Sequence, residues 1–158
     1  MFQSDFRKMT PLDVNNYENY VNHIIKKSGY RMGGTKYAPV LNAVIEGYQE
    51  GLSFSKKFIP PIVDNGDPTL ILFITDGENE DHMSTDVIIR KSASKNVFIQ
   101  FIGIGRYSFR YLEKLDNMRG RSRDDTGFSK MADLAAVADS ELYSTALNQF
   151  SNWLRGVQ

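Results

Sequence analysis

Two periods of apolar residues alternate along the chain, and the densest apolar run marks its centre. Leu70 to Ile74 are five apolar residues in succession, opened by Asp67-Pro68 and closed by Asp76-Gly77. A short β-branched and aromatic run between turn residues predicts a strand over 70–75, buried on both faces. Strands of that kind belong to parallel sheets covered by helices. Val97 to Ile104 (VFIQFIGI) predicts a second buried strand, and a weaker one falls over 124–130 around Phe128. The intervening stretches follow helical spacing. Thr10-Pro11-Leu12-Asp13 carries a helix start, with Thr as cap and Pro at the first position. Val14, Tyr17, Val21 and Ile24 continue it to Ser28-Gly29. A second helix carries Ala38, Leu41, Ile45 and Tyr48 on one face, with Pro39 in its first turn and Gly51 just past its end. Residues 52–67, with Pro60-Pro61 and Asp64-Asn65-Gly66-Asp67, read as a loop or as a short helical tail and a turn. Ser84 to Lys95 predicts a helix with Val87 and Ile88 inward, and Ser108 caps another carrying Phe109, Leu112 and Leu115. A final helix from Asp139 or Ser140 places Tyr143, Leu147, Phe150 and Leu154 on one face.

From residue 68 onward strands alternate with helices, which predicts an α/β fold with a doubly wound, mostly parallel sheet. The 158 residues suit a single domain over 1–158, and 41% apolar content supplies a core. Lys plus Arg and Asp plus Glu are 19 each, so no global charge favours nucleic acid or an anionic membrane. The absence of cysteine removes disulfides and thiolate chemistry. MFQSDFRKMT has no apolar signal core, and no apolar run approaches the roughly 20 residues that span a bilayer. The simplest location is the cytoplasm.

In parallel α/β sheets ligands bind outside the carboxyl ends of the strands. Asp76 stands at such an end. An Asp-Gly pair also simply turns a chain. Gly33-Gly34-Thr35 precedes a helix, where Thr35 can be an N-cap or a hydroxyl ligand for a hard cation such as Mg²⁺. Glu78, Glu80, Asp81 and Asp86 follow Asp76 as a solvated helix start that suits the helix dipole, or as extra carboxylates for a cation. The run is not an EF-hand, since the sixth position from Asp76 is Asp81 and the twelfth is Val87. Gly103-Ile104-Gly105 follows a strand, but the third glycine of a dinucleotide fingerprint would fall at Ser108. Arg106, Arg110, Lys114, Arg119, Arg121 and Arg123 form a basic stretch, which suits an acidic partner or a solvated face paired to Asp124 and Asp125. His82 lies near Asp76 without a triad or metal spacing, and His23 reads as solvent-facing. Phe150 and Trp153 suit the core or an interface.

The segments GGT-x-Y-A-P, an apolar strand ending in T-D-G, and a strand ending in G-I-G resemble a von Willebrand factor A (vWA) domain. R-G-R-x-x-D-D-x-G-F, then D-x-E-L-Y and F-x-x-W-L, is similar to the cytoplasmic bacterial vWA proteins of tellurium resistance and general stress response. The resemblance runs from about residue 13 to residue 155. It implies a Rossmann-like sheet with a metal-ion-dependent adhesion site at its top. Thr35 matches the family Thr and Asp76 the family Asp. The family's D-x-S-x-S motif has no counterpart here. The resemblance therefore implies an N-terminally incomplete domain without the first strand, the first helix and most of the second strand. A fragment, a truncated product or half of a split domain is expected, with an apolar sheet edge at 70–75 open to association.

The function so implied is a protein-interaction module rather than an enzyme. A partner's acidic residue would fill an open position on Mg²⁺ held by Thr35 and Asp76. Two alternatives stand beside it. One is a metal-assisted hydrolase or phosphoryl-transfer enzyme using Asp76 with Glu78 or Asp81. The other is a metal-free structural fragment.

Overall fold

The computed structural model describes residues 6, 8–10, 13–15, 18, 35–50, 56–63, 66–133 and 137–156. The expected first helix falls largely outside the described residues, as do Gly33, Gly34 and His23. Val14 and Asn15, which belong to that expectation, form a turn in which the Asn15 amide donates to Asp13 Oδ1 over 2.7 Å.

Helix α1 (Ala38–Glu46) buries Leu41 and Ile45, four residues apart on one face. It stops at Gly47, which has φ +80°. A Cβ on Gly47 would lie 2.4 Å from the Ile59 carbonyl oxygen. The expected continuation through Tyr48 to Gly51 does not occur. Tyr48–Glu50 is instead strand β1, paired antiparallel with β2 (Lys57–Ile59), with Tyr48 opposite Ile59. Residues 52–67 are thus not wholly loop, because Gly47 reverses the backbone early and lays a hairpin over the end of α1.

Strand β3 (Thr69–Thr75) is followed by α2 (His82–Ser92), β4 (Val97–Ile104), α3 (Arg110–Asp116), β5 (Thr126–Met131) and α4 (Asp139–Leu154). β3, β4 and β5 form a parallel sheet in that order, with Phe73 opposite Phe101 and Phe101 opposite Phe128. Helices lie on both faces, the doubly wound arrangement expected from the alternation. On one face Phe73, Ile99 and Phe101 pack with Tyr37 and Leu41 of the α1 segment, Ile89 of α2, and Leu112 and Leu115 of α3. On the other, Phe98 meets Phe150 and Trp153 of α4, and Ile102 meets Met131 and Ala146.

Three inward faces differ from expectation. In α2, Ile89 is buried while Val87 is exposed, because Thr85, Ile89 and Ser92 set the buried stripe. In α4, Ala146 and Trp153 face the sheet, while Tyr143, Leu147 and Leu154 are exposed. These three share the helical stripe of Phe150. In β3 itself, Leu72 and Ile74 are 47% and 46% exposed. Their face continues that of Phe98, Gln100 and Ile102, and α4 packs mainly on β4 and β5. β3 is therefore buried on one face, not two.

The expected Ser108 cap is also absent. α3 begins after Phe109, with no side-chain cap. No helix among the described residues is long and apolar enough to cross a membrane.

Candidate functional site

The site is built at the carboxyl end of β3, where two loops from distant parts of the chain meet. One loop, residues 35–37, leads into α1. The other, residues 76–81, leads from β3 into α2. The Glu80 amide donates to the Thr35 carbonyl over 2.9 Å. Thr35 is half-buried, and its Oγ1 lies 3.9 Å from where a Cβ on Gly77 would sit. Asp76, the residue before Gly77, is exposed. The two residues singled out from sequence thus share one rim.

Thr35 is not the helix cap. α1 begins at Ala38, its cap position is Tyr37, and no side chain there bonds the first turn. Asp81 takes that part from across the gap. Its Oδ1 and Oδ2 accept the Tyr37 and Ala38 amides, each over 3.0 Å. Asp81 occupies the N-cap position of α2 without capping its own helix. Asn79 Nδ2 reaches Asp81 Oδ1 over 2.8 Å and Thr85 Oγ1 over 3.0 Å, which fixes the carboxylate further. Beneath the loops, the buried Tyr37 hydroxyl donates to the Gly77 carbonyl, and Thr75 Oγ1 donates to the same oxygen over 3.1 Å. Burial pushes the Tyr37 phenol up to about 12. The Thr75 hydrogen bond opposes that rise, and the carboxylates of Glu78, Asp76 and Asp81 add to it.

The acidic run divides. Asp76, Glu78 and Glu80 are exposed, whereas Asp81 and Asp86 are committed to the fold. Asp86 Oδ1 accepts the Tyr111 hydroxyl over 2.8 Å, and Oδ2 pairs with Lys114 Nζ over 2.7 Å. Burial alone would raise the Asp86 carboxyl, but these two bonds outweigh it and hold it below its ordinary value. His82 stacks on Tyr111 at 3.9 Å between ring centroids, so its role is packing. Around the rim, Met83 is 86% exposed and Tyr107 is 73% exposed.

In kind, the Thr35 hydroxyl and Asp76 carboxylate are the hard oxygen donors that Mg²⁺ takes. In number they make two. Among the described residues no group of three or more His, Cys, Asp or Glu side chains comes together around a metal-sized space. Two such donors would fill only part of the octahedral shell that Mg²⁺ takes.

Parts of the remaining motifs serve the fold. A Cβ on Gly103 would lie 2.9 Å from the Phe109 ring, and Gly105 has φ +117°, so both glycines serve close packing and a turn. In the basic stretch, Arg121 pairs with Asp124 and with Asp125, the latter over 3.0 Å. It also bonds Thr126 Oγ1. It is buried rather than solvated. Arg123 lies over the Trp153 ring at 3.9 Å, which places Trp153 in the core.

Sequence reasoning missed Asp81 and Tyr37. In sequence Asp81 is one of a run of acids that suits either solvent or a cation, and its partners lie 43 and 44 residues away. The one local signal was the entry to α1, where no Ser, Thr, Asp or Asn stands at the cap position.

A family model described as vWA-TerF-like, the vWA found in the TerF C terminus, matches residues 1–158. The chain is also 30% identical over 159 residues to a Bacillus subtilis (strain 168) protein called uncharacterized protein YcbR. The alignment takes in 98% of this chain and 59% of that protein, so the chain spans less than two thirds of that relative's length.

Proposed function

The chain belongs to the vWA-TerF-like family, and from that premise we propose that it is a protein-interaction module whose recognition face is the carboxyl end of β3. The observation that carries the reading is the convergence of Thr35 and Asp76 on one rim, from loops far apart in sequence. Asp76 is exposed there, and so are Met83 and Tyr107. Met and aromatic residues are enriched where proteins meet, and a carboxylate among them gives the contact direction.

Thr35 and Asp76 are the residues that would hold Mg²⁺. When bound, the ion would supply a coordination position for a carboxylate of the partner. The chain's own residues keep the two loops together and present the donors, so the reading requires no covalent step. The proposed setting is the cytoplasm, in the tellurium-resistance and stress response linked to vWA proteins of this type.

Calorimetric titration of Mg²⁺ and Mn²⁺ into the purified chain, beside Asp76→Ala and Thr35→Ala, tests the metal-dependent reading. Saturable heats weakened roughly tenfold or more by either substitution are expected, as for loss of one charged or polar ligand. Heats that both variants leave unchanged would overturn it.

A further inference from the structure

Two side chains outside the proposed donor pair tie its halves together, one from each of the two loops. Tyr37, two residues after Thr35, gives its hydroxyl hydrogen to the carbonyl of Gly77, the residue after Asp76. Asp81 returns the connection by accepting the Tyr37 and Ala38 amides. The adjacent Glu80 amide donates to the Thr35 carbonyl. We infer that Tyr37 and Asp81 form a two-point latch that sets the spacing of Thr35 and Asp76, and that both are positioning residues of the site. The inference rests on the proposed reading of that site.

The chemistry of the α1 entry makes the latch selective. The first turn of a helix leaves its amides without partners. Here Pro39 has no amide to offer, and no side chain of the entry caps the turn. A carboxylate meets two of the remaining amides, those of Tyr37 and Ala38, with charge-assisted bonds and matches the positive end of the helix. An amide side chain at 81 could accept at only one of its two atoms. Asp81 is itself held by Asn79 and Thr85, so the latch is rigid on the α2 side. Any movement of the Thr35 loop away from Asp76 must break the Asp81 bonds and the Tyr37 bond together. A plain capping role would contribute to stability without governing that spacing.

The test uses the whole ¹⁵N-labelled chain with Mn²⁺ as probe, beside Tyr37→Phe and Asp81→Asn. Tyr37→Phe keeps the ring in the core and removes only the hydroxyl, so it remains informative if Asp81→Asn folds poorly. Amide hydrogen exchange at Glu80, referenced to amides of β4, reads the latch directly. Mn²⁺ broadening of the Thr35, Asp76 and Gly77 signals reads the site. The expected result is at least roughly tenfold faster exchange at Glu80 with β4 little changed, and Mn²⁺ affinity lowered by roughly tenfold. Exchange that speeds up uniformly, or Mn²⁺ affinity that stays at the wild-type value in both variants, would overturn the latch. If the unsubstituted chain shows no Mn²⁺ broadening, the metal reading fails separately. The latch is then decided by Glu80 exchange alone, selective acceleration supporting it and uniform acceleration sinking it.

Discussion

Asp76 and Thr35 each stand in a local pattern, one at the end of an apolar run and one after paired glycines. Asp81 was not legible, because the groups that define it belong to another loop. Asp125 shows the same limit. In sequence it is one of two acids beside an arginine stretch. In the fold it is 0% exposed, with Arg121 on Oδ1 over 3.0 Å and the Ser92 hydroxyl on Oδ2 over 3.1 Å. Burial pushes its carboxyl from 3.8 up to about 6, against the pull of Arg121 and Ser92. A carboxyl whose folded value lies above its unfolded one favours the fold while protonated, and that contribution is lost as pH rises through the folded value. Urea midpoints of the wild type and Asp125→Asn between pH 4 and pH 7 check this. The wild type should lose stability relative to the variant from about pH 4 to about pH 6 and run parallel above it. The total difference is at most about 3 kcal/mol for a shift of about two pH units. A constant difference across the range would count against it.

At the scale of elements, existence and type were readable from residue 68 onward, while helix phase and one boundary were not. The five-residue apolar run and VFIQFIGI are long enough to declare β3 and β4 alone. In α4 the most apolar stripe predicts the inward face, yet small Ala146 and large Trp153 are what fit over β4 and β5. Periodicity reports that a helix has a face but not which of two adjacent stripes meets the sheet. The α1 boundary failed for a different reason. Tyr48 continues the helical spacing, and Gly47 overrides it through a backbone angle that spacing does not encode. Gly47→Ala would place a Cβ against the Ile59 carbonyl at a positive φ. Its expected cost is about 1–3 kcal/mol, read as a lower thermal midpoint with the α1 and β1–β2 signals most perturbed. A midpoint at or above the wild-type value would contradict that account of the hairpin.

For the whole molecule, the fold class was legible and the coverage of its sheet was not. An apolar run says that a strand suits burial, and only the placement of helices says whether each face receives it. Leu72 and Ile74 stay exposed on β3, and Tyr143, Leu147 and Leu154 stay exposed on α4. Exposed apolar surface of this kind favours association. The chain is therefore expected to self-associate with rising concentration in sedimentation velocity. Leu72→Thr with Ile74→Thr, which keeps β-branched residues in the strand, should shift it toward monomer at a stability cost of about 1 kcal/mol or less. An unchanged distribution of species would show that this face takes no part.

The bonds from Tyr37 to Asp81 also have a consequence in polymer terms. They close a loop across 44 positions, and the cost of closing a flexible loop grows only logarithmically with its length, by about 0.6 kcal/mol per doubling. Chain inserted between the hairpin and β3 therefore bears weakly on the rim at Thr35 and Asp76. The Asp81 carboxylate and the Tyr37 hydroxyl, by contrast, bear directly on how that loop is closed. Related chains are expected to tolerate length changes between residues 60 and 67 and still present the same rim, provided an acid stands where Asp81 does.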